Sequence, residues 1–296
     1  MANQNSVSPQ KSFCLKKFLA DVNWVPALFI IAVHIGAIFA FFTFSWQALI
    51  LCIVLHWITG GLGITLTYHR LLTHKSFETL RPIRFITSLI ACLACQGGPL
   101  AWVAAHRLHH AESDKEKDPH SPRKGFFWSH MGWCMTKSEF LDRYDVYVNY
   151  VPDLAKEKEL VFLNQTHILW TFVLAGLLYL WGGWSFVVWG VFVRLVLVWH
   201  CTWFVNSASH VWGYQSYDSK DDSRNLWWVA LLTYGEGWHN NHHAFQHSAK
   251  HGLHWWEFDT TYLTIRFLEF FKLAKAIKLP TKQDLSRRSL PLNIVS

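Results

Sequence analysis

A chain of 296 residues that is 51% apolar and only 16% charged is too apolar for an ordinary soluble domain. Its formal charge of +7 favours anionic lipid headgroups or acidic protein partners. No DNA-binding motif accompanies that charge, so we expect no nucleic-acid partner. We expect one membrane domain at 21–280, a polar N-terminal tail at 1–20 and a C-terminal tail at 281–296.

The first apolar region runs from Val22 to His69 without a single Asp, Glu, Lys or Arg. That length accommodates two transmembrane helices of about 20 residues each. We place these helices at about 24–44 and 46–66, with a short uncharged break around Ser45.

The second apolar region covers 160–217 and contains Arg194 as its only Lys or Arg. It predicts two more transmembrane helices, at about 161–181 and 184–206, with Gly182-Gly183 as the turn between them. Two such hairpins leave the charged regions on one face of the membrane, which the positive-inside rule places in the cytoplasm. The sequence therefore predicts an all-α integral membrane protein with four transmembrane helices and a cytoplasmic helical cap.

Two further segments are expected at the membrane surface. Ile83–Ala94 is apolar but too short to cross a bilayer, which favours a re-entrant or interfacial segment. Tyr262–Lys278 has apolar residues at helical spacing among charged ones, which predicts an amphipathic helix on the cytoplasmic surface.

Histidines are concentrated in three clusters next to these apolar regions. Two of the clusters have the form H-x-x-H-H, which on a helix is expected to place all three rings on one face. The cytoplasmic ends of the predicted helices bring the clusters to the same side of the membrane. The candidate metal ligands are His69, His74, His106, His109, His110, His210, His239, His242 and His243.

Nine imidazoles exceed what one zinc-like ion uses and suit two metal ions with four or five nitrogens each. Asn206, one helical turn before His210, is expected to hold a metal-bound water. Glu236 is expected to accept a hydrogen bond from a ligand imidazole. The histidines outside the clusters are expected in two other roles. His34, His56, His167 and His200 are assigned to packing, and His120, His130, His247, His251 and His254 to surface or supporting positions.

The order of these clusters and several flanking motifs resemble the membrane fatty acyl desaturases, especially the cyanobacterial acyl-lipid Δ9 desaturases. The resemblance covers about residues 25–280. The motifs that carry it, besides the histidine clusters, are Gly60-Gly61-Leu62-Gly63-Ile64-Thr65, Asp118-Pro119-His120, Gly125-Phe126-Phe127-Trp128-Ser129-His130 and Asn206-Ser207-Ala208-Ser209-His210.

The resemblance implies a diiron enzyme that uses O₂ to insert a cis double bond at C9 of a saturated stearoyl or palmitoyl chain. In that family the nine histidines bind two irons and the asparagine acts through a water. The family's acyl tunnel bends at residues that match Trp102, Thr202 and Trp203. Electrons would come from an external donor such as ferredoxin, and the membrane would be a cyanobacterial plasma or thylakoid membrane.

The acyl carrier is the main open choice. Animal acyl-CoA desaturases carry an Arg-Asp pair before their second histidine cluster, where this chain has Ala104-Ala105. That departure favours an acyl chain esterified to a membrane glycerolipid over acyl-CoA. A polyhistidine hydroxylase or ketolase would use the same ligands for another outcome. A membrane metal transporter is the non-enzymatic alternative, but it would place its ligands near the middle of the bilayer.

Overall fold

The computed structural model describes residues 19–290. The predicted tail at 1–20 therefore lies almost entirely outside the described residues. Three helical runs are long and apolar enough to cross a membrane: Trp24–Phe42, Trp46–Thr73 and Lys158–His210. The first consists of helix α1 (Trp24–Ile38) and a 3₁₀ turn at Phe39–Phe42.

The second run begins at α2 (Trp46–His56), where the hydroxyl of Ser45 accepts a hydrogen bond from the Ala48 amide. It continues without a break as a π-helix over Trp57–Thr73. A π-helix of this length is unusual, because π-helical geometry mostly occurs as single-turn bulges, often at functional sites. His69 lies in this segment and its carbonyl accepts a hydrogen bond from the amide of His74 at 3.2 Å.

The third run comprises α7 (Lys158–Val187), a π-helical stretch at Val188–Val193, α8 (Arg194–Asn206) and a 3₁₀ turn at Ala208–His210. Its helical backbone is interrupted at Gly182-Gly183, and Gly183 has a φ of 64°. That conformation favours glycine because a Cβ would strain it. The interruption falls where the sequence predicted a turn.

The remaining elements form a cap, defined here as residues 74–157 and 211–290. Its helices are α3 (Arg81–Cys92), α4 (Pro99–Glu112), α5 (Phe126–His130), α6 (Tyr144–Tyr147), α9 (Trp227–Leu232), α10 (His239–Ala244), α11 (Thr260–Phe270) and α12 (Lys282–Arg288). Short 3₁₀ turns occupy Pro122–Lys124, Gly132–Met135 and Val148–Tyr150. Strands β1 (Glu78–Thr79) and β2 (Ala274–Lys275) pair antiparallel.

Helix α3 packs directly on the π-helical segment that carries His69. A Cβ at Gly63 would lie 2.7 Å from the Cα of Ala91, so only glycine permits this approach. Buried side chains of both helices and of α4 form one apolar core, including Tyr68, Leu72 and Val103. This core fixes the second helical run against the helix that bears the second histidine cluster.

Two segments differ from expectation. The predicted helix Tyr262–Lys278 is wrong in extent, because α11 ends at Phe270 and the chain then enters β2. Lys272 adopts a φ of 58°, which is incompatible with a continuing right-handed helix. The segment after residue 280, expected as a tail, forms α12, and the Arg288 guanidinium donates to the Ala244 carbonyl at 2.7 Å.

Candidate metal centre

The nine predicted ligands converge in the interior of the cap. They come from the end of the π-helix, from α4, from the 3₁₀ turn that ends the third run, and from α10. Their nitrogens sort into two groups, within each of which the ligand atoms all lie within 4.8 Å of one another. The five-histidine group is His69, His74, His106, His110 and His242, and the four-histidine group is His109, His210, His239 and His243.

The H-x-x-H-H clusters divide their rings between the two groups instead of presenting all three to one. On α4, His106 and His110 are one helical turn apart and belong to the five-histidine group. His109 precedes His110 by one residue, which is a rotation of about 100° around the helix, and it joins the four-histidine group. Each H-x-x-H-H helix therefore contributes to both groups.

Carboxylates hold the outer nitrogens of four of these imidazoles. The four Nδ1-to-oxygen contacts are His69–Glu236 at 2.6 Å, His109–Asp118 at 3.0 Å, His210–Asp114 at 3.3 Å and His243–Asp221 at 2.5 Å. Such a carboxylate fixes the proton on Nδ1, orients the ring and leaves the Nε2 lone pair facing inwards.

This arrangement fits a bound cation. The Nε2 atoms of His109 and His243 lie 3.4 Å apart although both rings have their Nδ1 on a carboxylate. Two lone pairs would face each other there, and a metal ion removes that repulsion. In the five-histidine group, the Nε2 atom of His74 is buried without a hydrogen-bond partner among the described residues. Two nitrogens that bind one ion at roughly 2.1 Å are separated by a distance comparable to that between the Nε2 atoms of His109 and His243.

Burial keeps five of the imidazoles in the neutral form that binds metals. Burial, reinforced by neighbouring imidazoles, holds the pKa of His106, His110, His239 and His242 well below the ordinary value. Burial lowers the pKa of His243 to about 4, against the opposing charge of Asp221. Protonation of these five imidazoles therefore does not compete with metal binding near neutral pH, whereas contact with Asp114 raises the pKa of His210 against the effect of burial.

Glu236 joins the centre to a buried ionic network. One of its oxygens contacts His69 and, at 3.1 Å, Nδ1 of His251, and the other accepts two hydrogen bonds from Arg70. The Arg70 guanidinium also donates to Asp259 at 3.0 Å. Burial alone would raise the pKa of Glu236, but the neighbouring His69 imidazole and the Arg70 guanidinium hold it well below the usual range.

Replacing Glu236 with glutamine is expected to weaken metal binding without abolishing the fold. The amide keeps the shape of the side chain but loses the charge that orients His69. Loss of such a supporting partner typically costs about 10–100-fold in metal affinity. Iron affinity measured by competition with a chelator tests this. The matched control is Glu269→Gln, at a surface ion pair with Arg266, which should leave the affinity unchanged.

A cavity of about 700 Å³ leads from the five-histidine group into the apolar part of the molecule. His106 and Asn206 line this cavity together with the three predicted tunnel residues Trp102, Thr202 and Trp203. The ring of Trp102 stacks on His106 with centroids 5.0 Å apart. An apolar cavity of this size suits one long, thin ligand.

One polar side chain, that of Gln96, connects two residues of the cavity wall. Gln96 donates to the Thr202 hydroxyl at 2.8 Å and accepts from the Trp102 indole at 3.1 Å. This bridge ties α4 to α8 next to the histidine groups. Asp142, the only Asp, Glu, Lys or Arg among the described lining residues, lies on the wall together with Asn23 and Ser138.

Several residues of the centre were not identified from the sequence. Asp114 and Asp221 lie in loops, far in sequence from His210 and His243, the histidines that they contact. Asp118 lies nine residues after His109, a spacing that does not by itself predict their contact. His251 was expected only in a surface or supporting role, and it is fully buried against Glu236. The signal for Asp118 was its position eight to nine residues after two histidines, within the Asp118-Pro119-His120 motif.

Three histidines form a separate hydrogen-bonded chain that joins neither group. The Nε2 atoms of His34 and His200 lie 3.1 Å apart, and His200 Nδ1 lies 2.9 Å from His130 Nε2. His130 Nδ1 in turn lies 3.0 Å from the hydroxyl of Ser207. These contacts agree with packing roles for His34 and His200.

Comparison with known proteins decides the family. The family model for fatty acid desaturase matches residues 44–268, which include all nine histidines. The chain belongs to the fatty acid desaturase family. It is 52% identical to the sn-1 stearoyl-lipid 9-desaturase of Anabaena variabilis, over 89% of this chain and 97% of that one. It is 47% identical to the sn-2 palmitoyl-lipid 9-desaturase of Nostoc sp. (strain 36), over 93% and 95%.

The same desaturase family includes proteins that use another acyl carrier. The chain is 43% identical to the acyl-CoA C20 Delta5-desaturase of Anemone leveillei, over 86% of this chain and 81% of that one. Membership in the family establishes that this chain is an oxidoreductase, but it does not determine the acyl carrier. The carrier must be argued from the site.

Proposed function

We propose that this desaturase inserts a cis double bond between C9 and C10 of a saturated stearoyl or palmitoyl chain esterified to a membrane glycerolipid. The observation that carries the proposal is the apolar cavity whose lining includes His106, a member of the five-histidine group. The two cyanobacterial relatives named as lipid 9-desaturases support the position of the double bond and the lipid carrier.

The nine histidines would hold two iron ions, five nitrogens on one and four on the other. When bound, a reduced diiron centre supplies the O₂ activation needed to oxidise unactivated methylene groups, which no acidic or basic side chain achieves. Asn206 would hold a water next to the centre. The carboxylates keep the Nδ1 protons in place and so keep Nε2 available to the metal.

The cavity wall would determine which carbons are oxidised. Trp102 covers His106, and Gln96 fixes both Trp102 and Thr202, so an acyl chain in the cavity has a defined path past the centre. Overall, the saturated chain loses two hydrogens, O₂ is reduced to two waters, and two electrons and two protons are consumed. The apolar lining excludes bulk water from this reaction.

The charge of the cavity lining supports a lipid carrier. Coenzyme A is anionic and would be expected to need Lys or Arg near the thioester end of the chain. The lining residues that the structure describes include none, and Asp142, the one Asp or Glu among them, would repel phosphates. An uncharged glycerol ester next to Asn23 and Ser138 meets no such penalty.

We propose that Lys158–His210 crosses the membrane twice, which gives four transmembrane helices in two hairpins. A Cβ at Gly190 would lie 2.6 Å from the Leu178 side chain, although 12 residues of continuous helix would span about 18 Å. This close approach supports a chain that folds back near Gly182-Gly183. Both termini and the metal centre would face the cytoplasm of a cyanobacterial plasma or thylakoid membrane.

The electrons would come from a separate protein. The sequence has no C-x-x-C-H haem site and no G-x-G-x-x-G nucleotide fingerprint. Ferredoxin, an acidic one-electron carrier, suits a chain with a formal charge of +7.

Expression in a host that lacks Δ9 desaturation tests the function. We expect new monoenes with the double bond at C9, and we expect them in the glycerolipid fraction before any acyl-CoA pool. Fatty-acid profiling by lipid class, with location of the double bond by mass spectrometry, measures both. Hydroxylated or keto products would instead indicate a hydroxylase or ketolase, and first appearance in acyl-CoA would overturn the lipid carrier.

A further inference from the structure

A second opening of the molecule leads to the four-histidine group from the surface of the cap. It is a groove of about 440 Å³, called here the basic groove, and its lining includes His243, Phe245, His247, Lys278, Asp284 and Arg288. It shares no described lining residue with the acyl cavity. His243 belongs to the four-histidine group, so the inner wall of this groove is a proposed metal ligand.

The outer wall of the basic groove is exposed and positively charged. Lys278 and Arg288 are both exposed, and the guanidinium of Arg288 lies 5.8 Å from the Phe245 ring centre. Six basic residues occur between residues 272 and 288, against the single acid Asp284. They are Lys272, Lys275, Lys278, Lys282, Arg287 and Arg288.

We propose that the basic groove is the docking surface for an acidic one-electron carrier protein. The proposal rests on the desaturase function argued above, which requires external electrons. In each encounter the reduced carrier loses one electron and the metal centre gains it, and two encounters supply the two electrons of one double bond. At this groove, only the imidazole of His243 would separate a partner protein in the aqueous phase from the metal centre.

The charges that line the two openings indicate which one suits an acidic protein and which one suits the acyl substrate. The acyl cavity is apolar and its described lining has no Lys or Arg, whereas the wall of the basic groove carries Lys278 and Arg288 against one acid, Asp284. Complementary charge raises association rates between proteins by about 10–10³-fold at low salt. Aromatic Phe245 beside Arg288 adds the pairing of aromatic and Arg side chains that is enriched in protein interfaces.

The test uses the full-length, iron-loaded enzyme in nanodiscs of phosphatidylcholine, with a [2Fe–2S] ferredoxin as the probe. We expect Lys278→Glu to slow association at least roughly tenfold at low salt, and the difference to shrink at high salt. Lys282→Glu, on the same surface, should act in the same direction. Lys156→Glu makes the same charge change at an exposed site elsewhere on the cap and should bind like the unmodified enzyme.

Three results would overturn the docking proposal. The first is binding of ferredoxin to the variants as tightly as to the unmodified enzyme. The second is equal weakening by Lys156→Glu, which would indicate only a net-charge effect. The third is a Lys278→Glu variant that binds vesicles of anionic lipid less well but binds ferredoxin as before, which would assign the groove to the membrane surface. In each case lipid desaturation in the expression host still reports separately on the proposed function.

Discussion

Replacing His239 with alanine is expected to remove one iron and abolish desaturation. His239 belongs to the four-histidine group, and its Nε2 lies 3.1 Å from that of His210. Its loss leaves three imidazoles in that group, whereas the five-histidine group keeps all its members. We expect iron content to fall from about two per chain to about one. Activity should fall by more than the roughly 100-fold that loss of a supporting partner costs.

The control for this experiment is His254→Ala. His254 lies in the same cap, stacks on Trp256 and belongs to neither histidine group. It should retain both irons and most of the activity, as measured by elemental analysis and fatty-acid profiling. Full activity of His239→Ala, or equal iron loss in both variants, would contradict the assignment of His239 as a ligand.

The convergence of the nine histidines was predictable from the sequence because it follows from local motifs at the ends of apolar runs, and their role as metal ligands stays a prediction. Eight histidines in three clusters, with His210 at the end of an apolar run, predict a polyhistidine site, and four or five per metal follows from counting. The placement of His109 opposite His106 and His110 could also have been predicted. Its offset along α4 is a matter of helical geometry, which the expectation of one shared face overlooked.

The supporting residues were not predictable in the same way. Asp114 and Asp221 contact His210 and His243 only because cap loops bring them there, and no local periodicity encodes that approach. The extent of α11 was also misjudged, since the apolar spacing continues past Phe270 while the chain turns into β2. There, tertiary pairing with β1 outweighs the local helical pattern. The π-helical geometry of Trp57–Thr73 has no sequence signature that we can identify.

Replacing Arg70 with methionine is expected to cause the largest loss of stability of any variant considered. Arg70 is fully buried and its guanidinium pairs with both Glu236 and Asp259. Methionine fills similar volume but leaves two buried carboxylates without their cation. Removing one partner of a buried ion pair costs about 3–5 kcal/mol, because the remaining charge is left uncompensated in a low dielectric. Unfolding free energy and the thermal midpoint in detergent measure the effect.

Arg266→Met is the matched control for this substitution. Arg266 pairs with Glu269 on the exposed face of α11, with its side chain 52% exposed, so screening by water limits its contribution to at most about 1 kcal/mol. Equal stability of the two variants would show that the Arg70 network does not hold the cap together. Because Glu236 also contacts His69, Arg70→Met should lower iron retention as well, whereas Arg266→Met should not. That second measurement separates a general loss of stability from the specific loss of support for the metal centre.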